Sequence, residues 1–155
     1  MLMTTLLQRN RKRILLPFLF LNQVKAMSST APKSSSPAAL IFLHGLGDTP
    51  AGWSSLEKQL PSLQPSLSNV QYVFPPAPTI PISINGGMRM PGWFDLFDWP
   101  VSVGIKNDED GLKAAVDVVK ACVEKLESEG IAKNRIAIGG FSQGGAVALR
   151  AVYDD

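Results

Sequence analysis

Three short, mainly apolar runs recur along the chain and predict buried strands. They lie at residues 39–43, 70–74 and 135–138. A run of this length without alternating polar residues is typical of a strand that is covered on both faces, as in a parallel sheet. Glycine-rich sequence follows the first run, and Pro75 with Pro76 closes the second.

One longer segment has apolar residues at the spacing of an amphipathic helix. These residues are Leu112, Ala115, Val116, Val119, Val123 and Leu126. Gly130 follows them and supplies a stop for the helix. Cys122 borders the apolar face, so we expect it to be a core side chain rather than a reactive thiol.

Two shorter helices are predicted, one at about residues 51–60 that Pro61 ends, and one at 143–152. The segment from residue 75 to about 106 is rich in proline and glycine and is predicted to be a long loop, which is often functional. Because strands alternate with helices, residues 38–155 are predicted to form an α/β domain with a mostly parallel sheet and flanking helices.

Residues 1–37 lack this pattern and are predicted to be a leader that is disordered or used for targeting. Residues 1–26 hold five basic side chains and no acidic one. The apolar run at 14–21 contains Pro17 and is far shorter than the roughly 20 residues of a membrane helix, so we expect no transmembrane span. Three interpretations stay open: a signal peptide, an organellar transit peptide, or a dispensable extension with synthesis starting at Met27.

The charge of the chain and its content of histidine and cysteine limit which partners and cofactors we expect. After residue 26 the chain has ten basic and thirteen acidic residues, which is unsuited to a nucleic-acid surface. With one histidine, His44, and one cysteine, Cys122, we expect no metal site and no cofactor. A lone cysteine suits the cytoplasm, and the alternative is an organelle or secretion if residues 1–26 act as a targeting signal.

The sharpest chemical signal is a G-x-S-x-G sequence at residues 140–144, between a predicted strand and a predicted helix. In a nucleophile elbow the serine has a strained backbone on a tight turn, and the flanking positions must lack bulk. Gly140 and Gly144 meet that need, which makes Ser142 the predicted nucleophile. The following helix favours negative charge at its N-terminus. The alternative is a glycine-rich turn with an incidental serine.

The second signal is the H-G-L-G-D sequence at residues 44–48, directly after the first predicted strand. A serine hydrolase needs backbone N–H donors for the oxyanion, one after the nucleophile and one in an earlier strand-to-helix loop. Gln143 and Leu46 fit those places. A phosphate-binding loop is the competing interpretation, but the Lys and Ser/Thr of a P-loop are missing. We expect His44 to order this loop rather than to act as a base.

Four blocks of the sequence, taken together, are similar to a known enzyme family. They lie at residues 43–48, 74–78, 91–95 and 139–146. In order and approximate spacing they resemble the acyl-protein thioesterase, lysophospholipase-like and carboxylesterase family of the α/β-hydrolase superfamily. The similarity covers about residues 38–152.

The resemblance implies an α/β-hydrolase fold and hydrolysis of acyl thioesters or carboxylic esters by a serine enzyme. It implies that Ser142 is the nucleophile and that the backbone N–H groups of Leu46 and Gln143 form the oxyanion hole. The loop that contains Trp93 is similar to one that walls the acyl-binding region. For Trp93, substrate binding and core packing both stay open, since an aromatic ring buries a large apolar area in either role.

The sequence departs from the family after the elbow helix. Family members supply a catalytic aspartate and then a histidine from their second half, whereas no histidine follows Ser142 here. We therefore expect a domain that is truncated after the elbow helix and is catalytically incomplete, because it lacks a base for the serine. The alternative is a non-catalytic truncated isoform or an incomplete gene model that at most binds acyl groups.

The expected partners also follow from the resemblance. They are an acylated protein, a lysophospholipid or a small ester as substrate, with no nucleic acid. A strand at 135–138 without later neighbours would form an open sheet edge, so we also expect self-association through that edge.

Asp48 and Asp95 are expected to shape loops rather than to act in catalysis.

Overall fold

The computed structural model describes residues 37–99, 104 and 106–153. Residues 1–36 of the predicted leader, and with them both targeting interpretations, lie outside the described residues. The described elements, in chain order, are β1 (Ala38–Leu43), α1 (Pro50–Trp53), α2 (Leu56–Leu63), β2 (Val70–Val73), β3 (Thr79–Ile82), β4 (Met88–Pro91), α3 (Glu109–Ser128), β5 (Ile136–Gly140) and α4 (Gln143–Tyr153). None of the described helices is both long and apolar enough to span a membrane.

Three parallel strands form the main sheet, in the order β2-β1-β5. Strand β1 is central, and its Ile41 lies opposite Val73 of β2 and Ile138 of β5. The predicted strands and their parallel arrangement are confirmed. Among the described strands β5 pairs only with β1, so β5 forms one edge of the described sheet.

The two longer helices agree with the predictions. Asp108 is the N-cap of helix α3, and its side chain accepts a hydrogen bond from the amide of Gly111 at 3.0 Å. The predicted helix at 51–60 is instead two helices, α1 and α2, and α2 continues past Pro61. Helix α2 has no buried residue, so water can bind the carbonyl group that proline leaves without a donor.

The prediction of a long loop from 75 to 106 is wrong in its first half. Strands β3 and β4 pair there as an antiparallel hairpin, with Pro81 opposite Arg89. Proline normally argues against a strand because it has no backbone N–H to donate to the neighbouring strand. In a two-stranded hairpin, each strand has an outer edge with no neighbour, and a proline is tolerated where its nitrogen faces that edge. Gly86 and Gly87 form the turn with φ of 65° and 79°.

The hydrophobic core lies between β1 and the helices α3 and α4. Ile41 is fully buried and belongs to one cluster with Val119 and Val147. Cys122 packs against that cluster, as expected. Burial raises the pKa of the Cys122 thiol, although the charge of Lys125 acts in the opposite direction.

Candidate active site

The turn between β5 and α4 has an unusual backbone at Ser142. Its φ is 51°, and no other described non-glycine residue has a positive φ. A Cβ on Gly140 would overlap the backbone of Gly144. A Cβ on Gly144 would overlap the carbonyl oxygens of Leu43 and His44. The two glycines thus permit a close backbone approach that holds the serine, whose side chain is exposed, in a strained conformation.

His44 is 1% exposed, and both of its ring nitrogens are engaged. Nε2 accepts a hydrogen bond from the amide of Ala77 at 3.2 Å, and Nδ1 lies 2.8 Å from the carbonyl oxygen of Gly45. An amide can only donate, so Nε2 carries no proton and Nδ1–H donates to Gly45. Because both nitrogens bind backbone groups, His44 orders its loop, as expected, and is not available as a base for Ser142.

Asp48 shapes the start of α1. Its carboxylate accepts hydrogen bonds from the amide of Thr49 at 2.7 Å and from the indole N–H of Trp53 at 2.8 Å. The Trp53 ring packs between Phe42 and Phe141, with centroid distances of 4.7 and 5.3 Å. The expected structural role of Asp48 is confirmed.

Asp95 joins the segment after β4 to the tip of the hairpin. Its carboxylate accepts hydrogen bonds from the amide of Ser83 at 2.7 Å and from the Ser83 hydroxyl at 2.5 Å. Burial on its own raises the pKa of the Asp95 carboxyl. Hydrogen bonds from Ser83 and Leu96, together with the charge of Lys106, outweigh burial and hold that pKa below its usual value. Asp95 therefore shapes a loop, as expected.

The Gln143 side chain is buried and joins the elbow to the segment after β4. Its Oε1 accepts a hydrogen bond from the amide of Trp93 at 2.8 Å, and its Nε2–H donates to the carbonyl oxygen of Phe94 at 2.7 Å. Sequence reasoning used only the backbone of Gln143 and missed this role. The available signal was a polar side chain at the first position of a helix whose other residues, apart from Arg150, are mainly apolar.

Of the two roles left open for Trp93, substrate contact and core packing, the structure favours core packing. The Trp93 side chain is 2% exposed and belongs to the hydrophobic core. Its indole N–H donates to the carbonyl oxygen of His44 at 2.8 Å, and the two rings are 5.2 Å apart. Trp93 is therefore a core residue beneath the site, and the adjacent Phe94 lines the cavity at Ser142 instead.

A cavity of about 570 Å³ brings the other three predicted site residues together: Ser142, Leu46 and Gln143 all line it. Its remaining apolar lining consists of Phe94, Leu96, Phe97, Trp99, Leu112 and Ala146. Charged groups also line it, among them Lys106, whose ammonium lies 4.4 Å from the centre of the Phe97 ring. An exposed hydroxyl beside an apolar cavity of this size can meet the carbonyl of an acyl group.

The backbone amides of Leu46 and Gln143 are the predicted oxyanion donors. Within the described part of the chain, neither amide donates to a backbone carbonyl. Gln143 is the first residue of α4, so its N–H lacks an acceptor within the helix. Leu46 and Gln143 line the cavity that Ser142 also lines, which is the arrangement that an oxyanion site requires of its donors.

Comparisons with known proteins show the family of this chain. The sequence matches the phospholipase/carboxylesterase family over residues 25–155. It is 43% identical over 122 residues to acyl-protein thioesterase 1 of Cryptococcus neoformans, covering 77% of this chain and 49% of that protein. It is 46% identical over 121 residues to acyl-protein thioesterase 1 of Mycosarcoma maydis, covering 72% of this chain and 49% of that protein. The chain thus spans about half the length of the curated relatives it matches.

Solved structures of related proteins also resemble this chain. Arabidopsis thaliana SOBER1 superimposes with a TM-score of 0.70 at 35% identity, over 76% of this chain and 55% of that chain. Zea mays acyl-protein thioesterase 2 superimposes with a TM-score of 0.60 at 36% identity, over 79% of this chain and 48% of that chain. The resemblance and the α/β-hydrolase fold inferred from the sequence are confirmed. This chain is a member of the phospholipase/carboxylesterase family.

Proposed function

We propose that this chain carries the nucleophile and the oxyanion site of a serine hydrolase that cleaves acyl thioesters or carboxylic esters. The observation that carries the proposal is the position of Ser142, strained at a φ of 51° on a tight turn that lines a largely apolar cavity. Leu46 and Gln143 line the same cavity, and their amides donate to no backbone carbonyl among the described residues.

In the proposed reaction the Ser142 hydroxyl oxygen attacks the acyl carbonyl carbon. The carbonyl oxygen becomes an oxyanion and accepts hydrogen bonds from the Leu46 and Gln143 amides. Collapse of this intermediate breaks the bond to the thiol or alcohol, which leaves with a proton, and the acyl group stays on Ser142. Water then attacks the acyl-enzyme and releases a carboxylic acid.

The proton of the Ser142 hydroxyl needs a base, and His44 is committed to backbone hydrogen bonds. We propose that the base and its partner carboxylate belong to the length of the relatives that this chain does not span, which is about half. The resemblance supports this assignment, because the family places both residues after the elbow helix. Without a base, residual catalysis in serine proteases is only about 10³ to 10⁴ over water.

For the substrate we propose an acylated protein, with a lysophospholipid or a small ester as alternatives. The names of the relatives support this order, since three of the four reported above are acyl-protein thioesterases. The apolar lining, with Phe94, Phe97 and Leu112 among its residues, suits an acyl chain. We propose the cytoplasm as the compartment, with targeting through residues 1–26 as the alternative. Imaging a fluorescent fusion with and without those residues distinguishes the two.

Turnover of a p-nitrophenyl acyl ester and of an acyl thioester tests the proposed function. Four proteins are compared: this chain, the chain extended through the second half of the domain, and the Ser142→Ala variant of each. We expect the extended chain to turn over both substrates and Ser142→Ala in that context to abolish turnover. An extended chain that binds an acylated peptide without cleaving it would support the alternative, a binding module.

A further inference from the structure

The two amides of the proposed oxyanion site lie on different elements. Leu46 is on the loop after β1, whereas Gln143 begins α4. An oxyanion site works only if its donors are held in place before the reaction, because movement during the reaction costs free energy. The relative position of these two residues is therefore a property that the fold must fix.

Trp93 hydrogen-bonds to both elements at once. Its indole N–H donates to the carbonyl oxygen of His44 at 2.8 Å, and its backbone N–H donates to Oε1 of Gln143 at 2.8 Å. Both bonds are buried, since Trp93 is 2% exposed and Gln143 is 8% exposed. Buried hydrogen bonds are strong because water does not compete for their groups.

The residues beside Trp93 add contacts to the Leu46 loop. The amide of Gly47 donates to the carbonyl oxygen of Pro91 at 2.7 Å. Gly92 lies so close to the Leu46 side chain that a Cβ on Gly92 would be 3.0 Å from the Leu46 Cδ1 atom. The segment that contains Trp93 is thus packed against the loop on one side and hydrogen-bonded to the elbow on the other.

We propose that Trp93 is a positioning residue for the oxyanion site. It holds the loop of Leu46 against the elbow of Ser142, so that the N–H groups of Leu46 and Gln143 serve one oxyanion. This inference rests on the proposed function of those two amides. The effect on the amides themselves does not depend on turnover and can be measured separately.

The test uses Trp93→Phe, which keeps an aromatic ring and removes the indole bond to His44. Trp53→Phe is the matched control, because it also removes one indole N–H bond, the 2.8 Å bond to Asp48, but does not touch Gln143. The amide ¹H–¹⁵N resonances of Leu46 and Gln143 are measured in the 155-residue chain, together with the hydrogen-exchange rate of the Gly47 amide, which donates to Pro91. We expect Trp93→Phe to shift both resonances and to speed exchange at Gly47 about tenfold, since a local opening is made easier. Trp53→Phe should perturb these amides less, because Trp53 contacts the loop at Asp48 and the elbow at Phe141 but does not link Gln143 to His44.

Turnover by the extended chain is the second readout. Loss of one oxyanion donor lowers kcat by about 10²–10³-fold, so a misplaced donor should lower kcat about tenfold or more in Trp93→Phe, with KM unchanged. Equal behaviour of the two variants at the amides would overturn the proposal. If the extended chain does not turn over the ester, the proposed function is wrong. The measurements on the amides then test this inference on their own. If Trp93→Phe does not fold, Gln143→Met breaks the other end of the link and must then shift the Leu46 resonance.

Discussion

Gly144 lies directly against the carbonyl oxygen of Leu43, where the start of α4 passes the end of β1. The same carbonyl accepts a hydrogen bond from the amide of Phe141 at 2.9 Å. The elbow is therefore fixed to the central strand by backbone contact on both sides of Ser142. This contact brings the two glycine-rich motifs of the sequence to one cavity.

Gly144→Ala should destabilise the protein. The new methyl group would overlap the carbonyl oxygens of Leu43 and His44, which belong to rigid backbone and cannot rotate away. Overpacking of this kind costs about 1–3 kcal/mol, which urea unfolding measures as a lower midpoint. Gly139→Ala is the control, since its Cβ would meet Phe42 at 3.5 Å, an ordinary contact. An unchanged midpoint for Gly144→Ala would contradict the close approach.

Ser142→Gly should stabilise the fold while removing the nucleophile. A φ of 51° costs a non-glycine residue about 1–2 kcal/mol, and glycine relieves this cost but loses part of the gain to its freer unfolded chain. We expect a net rise of about 0.5–1 kcal/mol in the free energy of unfolding. Ser142→Ala keeps the strain and should leave stability nearly unchanged. Equal stabilities for the glycine and alanine variants would show that the backbone at Ser142 is not strained.

The hydrogen bonds that Ser83 donates to the Asp95 carboxylate should make the free energy of unfolding depend on pH in the acid range. The folded-state pKa of Asp95 is below its usual value, so the charged carboxylate stabilises the fold above that value. This contribution is lost as the pH falls below about 4 and through the folded pKa. The difference in unfolding free energy between the parent and Asp95→Asn should therefore be largest at neutral pH and shrink in acid. A difference that stays constant from neutral pH to about pH 3 would exclude this linkage.

Burial explains which parts of the fold could be predicted from the sequence. Strand β1 and helix α3 each bury a regular set of apolar side chains, and burial imposes the pattern that the sequence displays. The strands of the β3–β4 hairpin are only four residues long, and of their residues only Ile82 is fully buried. Ile80 and Ile82 do alternate with exposed Thr79 and Pro81, but so short a pattern is weak, and Pro81 argued against a strand.

The candidate site also has residues that could be assigned from the sequence and residues that could not. Ser142 and Gly144 could be assigned because a tight turn restricts residue type, and that restriction is visible in a motif. The role of Trp93 depends on the carbonyl oxygen of His44 and on a side-chain oxygen of Gln143, both distant in sequence. Every residue has a backbone carbonyl, so the sequence does not show which one accepts a hydrogen bond from Trp93. Only coordinates could show that Trp93 is a buried core residue and not a substrate contact.

The last prediction concerns the edge of the sheet at β5, where we expect the 155-residue chain to self-associate. Among the described strands β5 pairs only with β1, and its outer side is a template for another strand. The neighbouring helix α4 adds exposed apolar side chains, with Leu149 at 63% and Val152 at 55% exposure. Apolar groups beside an unpaired edge favour association, because pairing also removes them from water.

Light scattering after size-exclusion chromatography should give a mass that rises with the concentration of the chain. The double variant Leu149→Glu and Val152→Lys should lower that mass toward the monomer, since burying either charge in an interface is costly. Leu63→Lys is the matched control, because Leu63 is 81% exposed but lies on α2, and it should leave the association unchanged. A monomeric parent chain at every concentration would exclude the edge as a self-association site. Equal effects of the double variant and Leu63→Lys would instead indicate general adhesion of exposed apolar residues, with no special role for β5.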